Sequence, residues 1–279
     1  MRCAVVGHPV AHSLSPALYR AAFFDLGLDW TFEAIDVEPG GLAGFVAGLD
    51  HSWRGLAVTM PHKAAVVALG QPDQACRRLG VGNTLVFGED GVSVHNTDVS
   101  GFLHALAYRR VDEVGEAVVL GAGATARAAL MALNNLGATK VTAQVRDASS
   151  PNLAAWLRLA GDLGVEAGVE TLGTRHPADL VVSTLPPGLA DPWAESAVDG
   201  TGAVFDVTYD PWPTALALAG VGAGLPVVTG LDLLAGQAVQ QLGFLAGETV
   251  DMAILLEAGE AELRRRRVVV EPHTNSTMA

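Results

Sequence analysis

Residues Ala117-Val118-Val119-Leu120-Gly121-Ala122-Gly123-Ala124-Thr125-Ala126-Arg127 pass from an apolar, partly β-branched run through two glycines into an Ala/Leu-rich segment. The order reads as strand, tight turn and helix, the context in which a dinucleotide fingerprint has physical meaning. Gly121 permits the turn, Gly123 lets backbone approach a pyrophosphate, and Ala126 is the third small residue, where helix must lie against strand. Ala124 and Thr125 open the helix, whose unpaired N–H groups and positive dipole end suit phosphate. The following strand, Lys140 to Val145, ends in Arg146-Asp147. An acid at that place binds ribose hydroxyls and an arginine accommodates a 2′-phosphate, so Arg146 points to NADP and Asp147 to NAD, with NADP the preferred expectation.

Around this unit, apolar runs alternate with helical patterns. Upstream come strand Cys3 to Val6, a helix from Pro16, strand Phe32 to Val37, a helix past Pro39, strand Gly55 to Thr59 and a helix after Pro61. Asn83 to Phe87 and Val92 to His95 flank Gly88, Asp90 and Gly91 as a hairpin. Downstream lie helix Asn152 to Leu163, strands Leu180 to Ser183, Ala203 to Val207 and Val227 to Thr229, and helices Asp232 to Leu245 and Val250 to Arg265. This alternation predicts an α/β fold with mostly parallel sheets. The 279 residues, half of them hydrophobic, are long enough for two cores. The expected division is a substrate-binding and catalytic domain over 1–101, a Rossmann-type domain over 102–230, returning helices over 231–268 and a tail over 269–279.

A net charge of −13 argues against nucleic-acid binding, which needs clustered Lys and Arg. The basic run Arg264 to Arg267 reads as a solvated helix end. Cys3 and Cys76 cannot build a disulfide framework, Met1 to Gly7 enters a strand without a secretory leader, and glycines interrupt the uncharged stretch Thr214 to Leu231. A soluble cytoplasmic protein, monomer or homodimer, is expected. Among 17 basic residues only Lys63 and Lys140 are lysines. Only lysine of the two types trades protons readily near neutrality, which gives each some weight.

Three polar clusters sit past strand ends, where parallel sheets place ligands. Ser13 and Ser15 precede Pro16; Ser15 is either an N-cap or a ligand contact. Thr59-Met60-Pro61-His62-Lys63 puts a cation in the first turn of a helix, against the dipole, which hints at function. Asn83 and Asn96-Thr97-Asp98 offer amides and a carboxylate, although Asp98 could instead cap a helix. His8 and His12 are four apart, yet Pro9 and the loop composition argue against a metal pair.

Together, GHPVAHSLSP, AVTMPHK, GNTL, NTD, GAGATARA and GLDLLAGQ, in that order from Gly7 to Gln237, resemble the shikimate dehydrogenases. The resemblance implies an NADP-dependent oxidoreductase that interconverts 3-dehydroshikimate and shikimate, with Lys63 and Asp98 as the catalytic pair. It implies substrate contacts from Ser13, Ser15, Thr59, Asn83, Asn96, Tyr209 and Gln237, and cofactor contacts that extend to Ser183, Thr184 and Gly230. Val145-Arg146-Asp147 departs from the family's Asn-Arg-Thr, and Ser183-Thr184 from its Asn-Thr or Asn-Ala. Rival readings are an NAD-dependent quinate/shikimate dehydrogenase and a non-catalytic ligand sensor on the same fold.

Overall fold

The computed structural model describes residues 1–270, with side chains through Arg267; of the tail expected over 269–279, the first two residues belong to a helix that ends at Val270, and 271–279 lie outside the described residues. The first half contains β1 (Arg2–Gly7), α1 (Ser15–Asp25), β2 (Thr31–Asp36), α2 (Leu42–Ala47) and β3 (Trp53–Val58). After these come β4 (Gln71–Pro72), α3 (Gln74–Leu79), β5 (Thr84–Gly88), β6 (Gly91–His95) and α4 (Asp98–Tyr108). The strands order β2-β1-β3-β5-β6-β4. β1 runs parallel to β2 and β3, while the β5–β6 hairpin adds antiparallel pairs, so this sheet is mixed.

The second half contains β7 (Glu116–Leu120), α5 (Ala124–Asn135), β8 (Lys140–Val145), α6 (Pro151–Leu163), β9 (Glu166–Thr171) and β10 (Leu180–Ser183). It continues with α7 (Ala194–Val198), β11 (Ala203–Asp206), α8 (Ala215–Gly222) and β12 (Val227–Thr229). Its strands order β12-β11-β10-β7-β8-β9, every pair parallel. Counted from β7, this is the doubly wound order 3-2-1-4-5-6, with the switch point between β7 and β10. The last helices, α9 (Gly230–Ala246) and α10 (Met252–Val270), return to the first half, where α9 and α10 share an apolar core with β1 and α1. β9 has no counterpart among the strands expected from sequence; its EAGVET is largely polar because it forms the sheet edge.

The two sheets are joined by two helices that cross. α4 leads out of the first sheet and α9 leads back. A methyl added to Gly236 would lie 2.6 Å from the Gly101 carbonyl oxygen, and one added to Gly101 would lie 3.1 Å from the Leu233 oxygen. The helices therefore touch backbone to backbone. One turn before Gly236 on α9, the fully buried Asp232 accepts from Arg109 Nε and Nη2 at 2.8–3.1 Å. Asp232 also closes a capping box with Thr229 at the start of α9. Cys3 and Cys76 are free and buried, and burial pushes the Cys3 thiol up to about 12. Among the described residues no helix is long and apolar enough to cross a membrane.

Gly236→Ala should lower stability by about 1–3 kcal/mol through overpacking at the crossing. On the same helix, Gly243→Ala meets nothing within 4 Å and should raise stability by about 0.5–1 kcal/mol. Urea unfolding midpoints of the two variants check the contrast.

Candidate active site

The loop after β1, the loop after β3, the start of α4 and one face of α9 meet around a cavity of about 240 Å³. Backbone bonds set its floor: the Thr59 amide donates to Val6 oxygen at 2.9 Å and the Gly82 amide to Lys63 oxygen at 2.8 Å. Buried His62 donates from its ring to the Val37 carbonyl at 2.7 Å, pinning the turn that carries Lys63. That turn is followed by a short 3₁₀ segment, Ala65–Leu69, so Lys63 stands before a helix and not in its first turn. The dipole conflict expected from sequence is small, because the segment is only five residues of 3₁₀ helix.

Lys63 Nζ donates to both oxygens of Asp98, at 3.0 and 2.8 Å. Asp98 is 1% exposed, and its Oδ1 also accepts from Asn83 Nδ2 at 3.1 Å and Gln237 Nε2 at 2.8 Å. Asp98 is the first residue of α4 but caps nothing; its carboxylate is spent on these three side chains. Asn83 is oriented in turn, its Oδ1 accepting from Thr97 amide, Thr97 hydroxyl and Thr84 hydroxyl at 2.9–3.1 Å. An ammonium has three donors; with two engaged on Asp98, Lys63 keeps one for a ligand.

Opposite, Ser13 and Ser15 line the cavity. Ser13 Oγ accepts from the Ser15 amide at 3.2 Å, which leaves its proton free. Ser15 makes no cap: residue Leu14 stands at the N-cap of α1 without a side-chain bond, and Ser15 is buried with its hydroxyl unengaged by the described residues. Thr59, Tyr209 and Gln237 complete the polar wall. Burial holds the Tyr209 phenol above its ordinary value, so it is a proton donor in hydrogen bonds at neutral pH.

Asn96 is placed differently from the sequence expectation. It lies beneath the cavity, accepting from the Asp98 amide at 3.0 Å and donating to Val81 oxygen at 3.1 Å, and lines no part of the opening. Gln241 lines the cavity although sequence reasoning missed it. Its Oε1 accepts a hydrogen bond from the Tyr19 hydroxyl and its Nε2 donates to Thr84 Oγ1 at 2.7 Å. The signal was present: Gln237 and Gln241 are one helical turn apart, on one face. His12 also lines the cavity, while His8 Nδ1 turns to Asp36 Oδ1 at 2.6 Å.

A second opening of about 190 Å³ lies over the glycine turn, lined by Gly121, Gly123, Arg146, Asp147 and their neighbours. Gly121 has φ +104°, and a methyl there would lie 2.8 Å from Thr184 Oγ1. A methyl on Gly123 would meet nothing within 4 Å, and α5 begins there without a side-chain cap. The free N-terminus and open glycine face fit a dinucleotide pyrophosphate. Ala126 is fully buried as the small residue of the helix–strand contact, and Ala124 packs against the same core.

Asp147 turns back on its own loop, accepting from Ser149 amide and hydroxyl at 2.8 and 2.7 Å, which hold its carboxyl below the usual range. Arg146 is exposed and has no ion-pair partner among the described residues. Thr125 and Gly230 line the first cavity instead of the groove, so the start of α5 bridges the two openings. Ser183 is buried at the end of β10 and faces neither, while Thr184 Oγ1 donates to Leu120 oxygen at 2.9 Å.

The family model described as the shikimate dehydrogenase substrate binding domain matches residues 5–85. A shikimate dehydrogenase (NADP(+)) of Methanocella arvoryzae is 34% identical over 252 residues, covering 87% of this chain and 92% of that protein. The crystal structure of Mycobacterium tuberculosis shikimate dehydrogenase superposes with a TM-score of 0.86 at 34% identity, over 94% of this chain and 99% of that one. The Thermus thermophilus enzyme, solved in complex with NADP(H) and shikimate, gives 0.82 at 33% identity over 94% and 99%.

Proposed function

The chain belongs to the shikimate dehydrogenase family, and from that premise we propose that it reduces 3-dehydroshikimate reversibly to shikimate with NADP, a step serving chorismate and aromatic amino-acid biosynthesis. The observation that carries the proposal is the Lys63–Asp98 pair, set in a polar cavity that a helix N-terminus links to the glycine groove. In this scheme residues 1–101 and the returning helices hold the substrate, and 102–230 hold the dinucleotide. The protein would act as a cytoplasmic monomer or homodimer.

When bound, NADP(H) supplies or accepts the hydride at the ring carbon bearing the C3 oxygen. In the direction of reduction, Lys63 donates its remaining N–H to that oxygen, polarises the ketone and delivers the proton. In oxidation it takes the proton back. Asp98 fixes the ammonium by two bonds and is itself held by Asn83 and Gln237, so the donor needs little reorganisation as the bond changes. The hydroxyls of Ser13 and Ser15 serve the two oxygens of the substrate carboxylate, and the neutral Tyr209 phenol and Thr59 contact it from the sides.

Arg146 is the residue proposed to take the 2′-phosphate, since Asp147 is committed to Ser149. The serine pair favours shikimate over quinate, because the family resemblance ties a bulkier Thr there to quinate acceptance. The intact Lys63–Asp98 pair speaks against a silent sensor.

Initial rates with shikimate and quinate, each against NADP⁺ and NAD⁺, test the assignment: fastest turnover is expected with shikimate and NADP⁺, and silence of the folded protein in all four mixtures would refute it. Lys63→Ala should cut kcat roughly 10²- to 10⁴-fold with substrate affinity within several-fold. Arg146→Ala should raise KM for NADP⁺ by roughly tenfold or more, through loss of a charge-assisted contact, and leave KM for NAD⁺ nearly unchanged.

A further inference from the structure

The basic run at the end of α10 is not uniformly solvated. Arg264 and Arg265 stay on their own helix, paired with Glu260 and Glu262. Arg266 leaves it. Its Nη1 donates to the His12 carbonyl at 2.7 Å and its Nη2 to the Ser13 carbonyl at 3.0 Å, while Nε donates to Glu262 Oε1 at 2.8 Å. The next residue, Arg267, donates to the Trp212 carbonyl at 2.5 Å.

We propose that Arg266 is a positioning residue for the anion-binding end of the cavity: by forking onto two successive carbonyls it fixes the loop that presents the Ser13 and Ser15 hydroxyls. The inference rests on reading that end as the site of the substrate carboxylate. The loop has few bonds of its own, chiefly Ser13 amide to Val10 oxygen at 2.9 Å and Val10 amide to Asp36 Oδ2 at 3.2 Å. Two hydroxyls can serve one carboxylate only if their Cα atoms keep a set spacing and angle, and a rigid planar fork supplies that constraint from behind. Glu262 aims the fork and is shared with Arg265, which holds its carboxyl down at about 2, so the brace is ionised throughout the neutral range. The guanidinium also places positive charge behind the serine end, whose lining residues include no arginine.

Steady-state rates of Arg266→Ala, Arg266→Lys and Arg264→Ala, with hydrogen exchange of the Val10–Ser15 amides, test this. Arg266→Ala is expected to raise KM for shikimate roughly tenfold with kcat and KM for NADP⁺ within about twofold, the signature of lost ground-state positioning. Added guanidinium ion should restore part of the loss, and the Val10–Ser15 amides should exchange faster. Arg266→Lys should resemble Arg266→Ala, because an ammonium cannot fork in the plane of two carbonyls; Arg264→Ala should match the parent. Unchanged KM and exchange in Arg266→Ala would overturn the proposal, as would full activity of Arg266→Lys or an equal fall in every kinetic constant. Should the parent protein not turn over shikimate, the substrate reading fails by itself, and the exchange rates still decide whether Arg266 orders the loop. Should Arg266→Ala not fold, Arg266→Lys carries the same comparison.

Discussion

A carboxylate removed from water is costly unless its oxygens are met by donors in good geometry. Asp98 meets that condition with Lys63 from the turn after β3, Asn83 from the residue just before β5 and Gln237 from α9. Three segments far apart in the chain must therefore arrive together for one side chain to be satisfied. The crossing of α4 and α9 brings the last of them within reach, and the ion pair of exposed Arg109 with buried Asp232 ties the two helices a second time. The geometry of the candidate site and the joint between the two sheets are thus linked through α9.

The fold was largely legible because its signals are local. β8, β10 and β12 begin and end where their β-branched runs do, and the Gly121 turn sits where strand patterning gives way to helix patterning. β9 escaped because an edge strand need not be apolar on both faces. The helix expected after Pro61 is a turn and a 3₁₀ segment, since His62 is drawn inward to Val37 instead of continuing a helical face.

The site was legible in residue types and less so in their directions. Lys63, Asp98, Ser13, Ser15 and Gln237 are named from motifs and line one cavity, but the residues alone leave the first four open to a capping or loop role, and Gln237 enters only through the family resemblance. What separates the alternatives is where the polar atoms go: Asp98 to three side chains, Asn96 to backbone beneath, Asp147 to its own Ser149. Arg266 could not be singled out from its neighbours in a run of four arginines. Its distinction is a matter of helical phase and of which loop lies opposite, neither of which the run encodes locally.

The arginine fork and Gln237 share a property of chain order. Both follow the entire second sheet, so an elongating polypeptide has made every strand of the first sheet, with Lys63 and Asp98, long before either arrives. Until then Asp98 lacks one of its donors and the serine loop lacks its brace. Completion of the contacts around the cavity therefore waits until the second sheet has emerged. A polypeptide interrupted before Arg266 would keep its charged pair, yet leave the His12 and Ser13 carbonyls without the arginine that grips them.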